Sequence, residues 1–475
     1  MQSHWSRIYD SISTTLSNTG PVILGFNTNI DALVHIEQKH LNKYVKSDQQ
    51  VLDILEKVKN LPGTIHTLDD LFAGILWCFS RGKAAEWLVF DHSVYKWISK
   101  HLGFEEQRMG GQAGIMANLL SLFTEVIVHV CNLSKTQADL FHHKNVFVPH
   151  FENKKPLLIH PQQAWQKNVP DLVHWIIEFK KGDILQLGDQ LFVCPRDNRF
   201  IASFDTPNSS LEINPDFLEG IKPILSKTQA CILAGFHLLQ PEIQKTTYQT
   251  RIDFIEDIVR SWLTKNKELK IHFEFAYMSN PIIREAVLNR IVRLGHSLGV
   301  NEVELATIWE VVTRRESKKG LWHDLFELYQ AALEVFHYLE IYRLHVRTLE
   351  NNLMIITKDY PLNAQSVRDA MLFGAILGAA KAKLGKIDSQ KDFKEGRTIP
   401  VSTTGIESFK RLAYALEERS FIANPEPFLR TGICEQEDNI LIVIPTKVVE
   451  KPALTVGLGD TISSSAFLKE ISFIN

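Results

Sequence analysis

Short apolar runs separated by helix-length stretches recur along most of this chain, and they restrict its fold more than any other feature. Pro21-Val22-Ile23-Leu24-Gly25-Phe26, Gln229 to Gly235, Leu269 to Phe275 and Ile440 to Ile444 each read as a buried strand. Further strands are predicted at 125–130, 145–148, 342–347 and 352–357. Helical patterns fall at 48–61, 67–80, 241–264, 281–294, from Asn301 onward, and at 364–384. Thr67, three residues before Asp70, matches a capping box. Strands alternating with helices predict an α/β protein with a doubly wound, mainly parallel sheet and helices on both faces. Between about 150 and 205 short β-like runs replace the alternation, such as Leu157 to His160 and Arg199 to Phe204. They predict a β-rich insertion projecting from the sheet. The polar stretch 385–399 is the most loop-like.

A chain of 475 residues with 45% hydrophobic and 23% charged residues has the make-up of an ordinary soluble globular protein. Its net charge of −3 and lack of a basic run predict no nucleic-acid partner. No apolar run approaches membrane-spanning length, and the N-terminus has no apolar signal core, so no membrane partner is expected. The five cysteines (78, 131, 194, 231 and 434) are scattered and odd in number. They predict a reducing, cytoplasmic setting and neither a disulfide framework nor a zinc site.

Near the end of the chain, Gly457-Leu458-Gly459-Asp460 follows the strand 440–444 and precedes small residues able to open a helix. Glycines let successive backbone amides turn inward, and a helix start adds its positive dipole end. The result is an anion cradle with a carboxylate on its rim, suited to deprotonating a hydroxyl beside a transferring phosphoryl group. The plainer alternative is a glycine turn whose Asp460 caps the next helix.

Other polar clusters lie where strands should leave the core. Asn27-Thr28-Asn29-Ile30-Asp31 follows the first strand, where ligands gather in open α/β sheets, although an Asx-turn also accounts for part of it. Gly110-Gly111-Gln112-Ala113-Gly114 opens an apolar helix and permits close backbone approach to a ligand. Arg196 and Arg199 flank a turn and suit either a phosphate or a surface acid. In His272-Phe273-Glu274 an acid stands near the end of a buried strand, where isolation would be costly. In Asn301-Glu302-Val303-Glu304 the outer two residues share one helical face, or else form a capping box.

In this order the motifs resemble the ADP-dependent sugar kinases, the archaeal-type phosphofructokinase and glucokinase family of the ribokinase-like superfamily. The matching residues are Gly25 to Asp31, Gly110 to Gly114, Asn198 to Ile201, His272 to Glu274, Asn301 to Glu304 and Gly457 to Asp460. The resemblance implies a large Rossmann-like domain (1–24, 41–72, 112–145 and 206–475) and a discontinuous β-rich lid (25–40, 73–111 and 146–205). It implies that Asp460 is the base and that Gly457, Leu458 and Gly459 form the anion hole. Glu274 and Glu304 would hold Mg²⁺ through waters, and Arg199 would contact the nucleotide phosphates. Asn29, Asp31, Gly111 and Gln112 would bind the sugar, with the adenine near 345–348 and 446–450, including His345 and Val448. ADP as donor, with Mg²⁺, is likewise an implication of the resemblance.

The acceptor is read from charge. Glu86, in Gly82-Lys83-Ala84-Ala85-Glu86, stands where the family places a glucose-binding glutamate, though a glutamate is more commonly a solvated surface acid. Fructose 6-phosphate needs cations for its own phosphate, and Arg196 with Lys154 or Lys155 would supply them. The opening Gly25 to Asp31 looks closer to the phosphofructokinase branch. The expectation is therefore an ADP-dependent phosphofructokinase forming fructose 1,6-bisphosphate and AMP. An ADP-dependent glucokinase or a bifunctional enzyme is the alternative. An ATP-dependent ribokinase-type kinase and a non-catalytic sugar-binding protein are further ones.

Overall fold

The computed structural model describes residues 1–16, 19–243, 245–317 and 324–474. Its larger body is built on an eleven-stranded sheet. The middle is parallel: Val146–Glu152, Val126–Val128, Val22–Gly25, Ala230–Leu233, Lys270–Glu274, Ser297–Asn301 and Arg343–Arg347 lie side by side in that order. Beyond Arg343–Arg347 the sheet continues antiparallel through Asn351–Thr357, Asn439–Pro445 and Ile433–Glu435. At the other edge Lys155–Ile159 folds back on Val146–Glu152. Because side chains alternate along a strand, the central strands feed two cores. Ile23, Cys231 and Leu233 enter one, while Val22, Leu24, Ala230 and Ile232 enter the other. Both faces are covered, as a doubly wound sheet requires.

A second body has its own core under a five-stranded sheet ordered Ala85–Leu88, Asn198–Phe204, Val173–Phe179, Asn29–His35, Glu106–Gly110. Ile30, Ala32, Val34, Trp175, Ile177, Phe200 and Ala202 point to its apolar face. Helices Gln38–Tyr44, Asp48–Lys59, Leu68–Arg81 and His92–His101 cover that face. The alternate residues, among them Asn29, Asp31, Glu86, His174 and Arg199, face the cleft between the bodies.

This second body departs from the expected lid in two places. Residues 41–72 contribute Leu41, Ile54, Ile65, Leu71 and Phe72 to its core instead of joining the large sheet, so the lid is as helical as it is β. Residues 146–159, expected in the lid, form the edge hairpin of the large sheet. Amphipathic helices show in sequence that they need an apolar face, but not which sheet supplies it.

Local signals held where chemistry marks a boundary. The Thr67–Asp70 capping box starts Leu68–Arg81, and Ala364–Leu384 spans the predicted residues. The helix expected from 241 begins at Tyr248, after a small hairpin. The strand Ser297–Asn301 carried no signal, because only Leu298 and Val300 in it are large and apolar. The stretch 385–399 holds the short helices Gln390–Asp392 and Phe393–Thr398.

Candidate active site

The carboxyl ends of the parallel strands and the polar face of the small sheet enclose a cleft of about 640 Å³. Asn29, Asp31, Glu86, Gly111, Gln112, Arg199, Glu274, Glu304, Val448, Gly457, Leu458, Gly459 and Asp460 all line it. Residues 430 apart in sequence thus share one wall-to-wall space, as the motif order predicted.

The glycine turn leads straight into helix Leu458–Ile474. Gly457 has φ +68°, a backbone a side chain would strain, and Asp460 lies in the helix's first turn. First-turn amides have no partner within the helix, and Leu458, Gly459 and Asp460 line the cleft at this helix start. Asp460 Oδ1 accepts a hydrogen bond from Gln112 Nε2 at 3.3 Å. Burial, then the neighbouring Glu274, push its carboxyl up to about 6, against Lys381, Arg347 and Gln112. Gln112 is itself fixed: its Oε1 accepts from the Gly235 amide at 3.1 Å, and Nε2 donates to the carbonyls of Glu274 and Phe275. It starts helix Gln112–Leu120, whose cap Gly111 leaves no room for a Cβ against the Asn27 carbonyl.

Two acids reach the cleft from the strand ends. Glu274 is held by Arg347, whose two terminal nitrogens stand 2.5 and 3.2 Å from its oxygens, and by His272 Nε2 at 3.2 Å. Burial works to raise its pKa, but Arg347 and His272 outweigh it and the net shift is downward. His272, fully buried, bonds Ser297 and Ser463 as well, and burial lowers it to about 4. Asn301 and Glu304 form a reciprocal capping box with both bonds at 2.8 Å. Burial pushes the Glu304 carboxyl up to about 8 although Arg347 and the Asn301 amide oppose it. Burial and the like charges of Glu274 and Asp460 disfavour its ionised form, which a bound cation would offset. Among the described residues no three His, Cys, Asp or Glu side chains converge as a closed metal cage. This donor set suits a hydrated hard cation bound by few carboxylates.

On the small sheet, Asn29 Nδ2 donates to Asp31 Oδ1 at 2.7 Å, and burial raises the Asp31 carboxyl. Glu86 accepts from the Ser203 hydroxyl at 2.6 Å and lies 3.4 Å from His174 Nδ1. His174 Nε2 meets the buried Asp205 at 2.8 Å. Burial alone would lower His174, but Asp205, Glu86 and Asp31 push it up to about 9. The carboxylates around it thus favour the charged imidazole, with Asp205 on its Nε2 side and Glu86 on its Nδ1 side.

Four expected residues are elsewhere. Arg196 is exposed and spends Nε on the Gly82 carbonyl at 2.6 Å, outside the cleft wall. Lys154 and Lys155, its expected companions, are exposed at the edge hairpin of the large sheet. His345 is wholly buried mid-strand, and the wall at that strand's end is Arg347, Thr348 and Leu349, facing Thr446 to Val449. Lys381 and His174 were not singled out from the sequence, and Arg347 fell within the adenine stretch 345–348 without its bond to Glu274. The signal available for each was a charged or basic residue at the end of, or within, an otherwise apolar element.

A doubly wound sheet with an anion cradle, a carboxylate beside it and a polar lid face defines a ribokinase-like sugar kinase. Residues 20–469 match the family described as the ADP-specific phosphofructokinase/glucokinase conserved region. The chain belongs to that family and is an ADP-dependent sugar kinase. It is 36% identical to the ADP-dependent glucose/glucosamine kinase of Pyrococcus furiosus, over 99% of each chain. It is 32% identical to the ADP-specific phosphofructokinase of Methanosarcina acetivorans, over 100% of this chain and 97% of that one. Among solved structures it is similar to an ADP-dependent kinase in complex with fructose 6-phosphate and ADPβS. The TM-score is 0.84 at 32% identity, covering 100% of this chain and 98% of that one.

Proposed function

We propose that the cleft transfers the β-phosphoryl group of ADP to the primary hydroxyl of a hexose, and that its first acceptor is a neutral hexose such as glucose. The acceptor oxygen attacks the β-phosphorus, the bond to the bridging oxygen breaks, AMP leaves, and the hydroxyl proton passes to Asp460. Gln112 keeps the Asp460 carboxylate turned toward that hydroxyl. The amides after Gly457 receive the non-bridging oxygens of the transferring group, and Arg199 contacts the nucleotide phosphates. Glu304 would hold Mg²⁺ through water, with Glu274 oriented by Arg347 and His272 behind it. When bound, Mg²⁺ neutralises phosphate charge. The adenine lies along 347–349 and 446–449 in this reading.

The observation that carries the choice of sugar is Glu86. It lines the cleft, held by Ser203 and His174, whereas Arg196, the cation expected for a sugar phosphate, lies outside. An acceptor-only carboxylate takes hydrogen bonds from hydroxyls and repels a phosphate dianion. A second reading, fructose 6-phosphate, is favoured by the similar kinase crystallised with that sugar. His174 and Arg199 are the cations available on the lid face for it. The test is steady-state kinetics with ADP and each sugar. Glucose should be the better substrate, and Glu86→Ala should lower its kcat/KM by about 100-fold, roughly 2.7 kcal/mol, while sparing fructose 6-phosphate. A parent that strongly prefers fructose 6-phosphate would overturn the choice.

A further inference from the structure

Helix Ala364–Leu384 packs against helix Leu458–Ile474 directly beneath the anion cradle. Gly374, Gly378 and Lys381 fall on one face of the first helix at spacings of four and three. The two glycines leave room only for Ile462: a Cβ on Gly374 would strike its carbonyl, and one on Gly378 its side chain. With the helices this close, Lys381, at the end of the same face, reaches the cradle. Its Nζ donates to the Gly457 carbonyl at 3.1 Å and to Thr461 Oγ1 at 3.3 Å. The same carbonyl accepts from the Thr461 amide at 3.1 Å and hydroxyl at 2.8 Å, and because the peptide is planar and trans, these bonds together with Lys381 turn the Leu458 amide to the other side. The charged groups that act on Lys381 are Asp460, Asp31 and Arg108. Behind it lies a second cavity of about 700 Å³, which Lys381 shares with Arg108, Leu384, Lys386 and Val456.

We infer that Lys381 is a positioning residue for phosphoryl transfer, clamping the Gly457 peptide so that the cradle's amides face the transferring group and setting its positive charge near the base. This rests on the reading of Asp460 as base. The geometry is supported by the electrostatics, since Lys381 favours the ionised form of Asp460 while Glu274 opposes it. Burial in turn lowers Lys381 to about 8.

The test is Lys381→Met and Lys381→Ala in the full chain, with ADP and glucose. Both variants should lose kcat by roughly 10–100-fold with the KM for each substrate within about threefold. The acid limb of kcat/KM should move to higher pH, because Asp460 ionises less readily without the cation. Ethylamine, entering through the second cavity, should restore part of the rate to Lys381→Ala and none to Lys381→Met. If these variants fail to fold, Lys381→Arg should fold and keep the parent's acid limb, and a shifted limb there contradicts the inference. A kcat within threefold of the parent, or a loss with an unmoved acid limb and no response to amine, overturns the role. Asp460→Asn separates the two failures: near-normal turnover there defeats the base itself, whereas an inactive Asp460→Asn beside indifferent Lys381 variants defeats only the lysine.

Discussion

Glu304 and His174 are buried titratable groups with opposite imbalances. Glu304 has one amide and a distant arginine against burial, and its carboxyl stands at about 8. A hydrated divalent cation would offset this, so on the proposed metal role Glu304→Ala should raise the Mg²⁺ concentration for half-maximal rate by about tenfold. A metal titration overlaying the parent's would assign Glu304 to helix capping alone. His174 has more anionic partners than it needs and stands at about 9, above its ordinary 6.5. A raised folded-state pKa stabilises fully below 6.5, and that contribution fades as pH climbs through about 9. His174→Gln should therefore cost about 3 kcal/mol in urea melts at pH 6 and much less near pH 10. An equal loss at both values would mean that the imidazole acts by shape and not by charge. The carboxylates at this scale were legible in sequence because HxE, NxxE and GxGD carry their own spacing. His174 and Arg347 were not, since their value comes from partners such as Asp205 and Glu274 that only folding brings near.

At the scale of elements, the tightest joint is between the helices Ala364–Leu384 and Leu458–Ile474. The first was predicted to the residue, but its role was not, because the glycines at 374 and 378 acquire meaning only once Ile462 is seen against them. Gly374→Leu would drive a side chain into the Ile462 backbone and push the second helix away. Overpacking at such a contact costs about 1–3 kcal/mol, and displacement of the helix start should lower kcat more than sugar KM. A variant as stable and active as the parent would show that the joint yields freely. Strand Ser297–Asn301 escaped prediction for a related reason: its burial is supplied by neighbours on both sides, not by its own composition. Helix Asp48–Lys59 was recognised as a helix but assigned to the wrong body, since amphipathicity does not specify the partner face.

In the whole molecule, two cores stand on either side of one cleft, and residues of both bodies line it. The large body contributes Asp460, the cradle and the acids Glu274 and Glu304, while the small sheet contributes Asn29, Asp31, Glu86, His174 and Arg199. The motifs at 272–274 and 301–304 lie at or just past strand ends of the parallel sheet, which share one rim, whereas Asn29, Asp31 and Arg199 reach the cleft from the small mixed sheet. Motif order was insufficient for Arg196, whose guanidinium bonds the Gly82 carbonyl outside the cleft wall. On the proposed reading this rim transfers a phosphoryl group from ADP with Asp460 accepting the hydroxyl proton. Its most direct test is the turnover of ADP and sugar to AMP and sugar phosphate by Asp460→Asn, with folding checked by its melting curve. A kcat lower by about 10²–10⁴-fold with sugar KM little changed is expected, since the cradle and the sugar contacts remain. Near-normal turnover by a folded Asp460→Asn protein would contradict it.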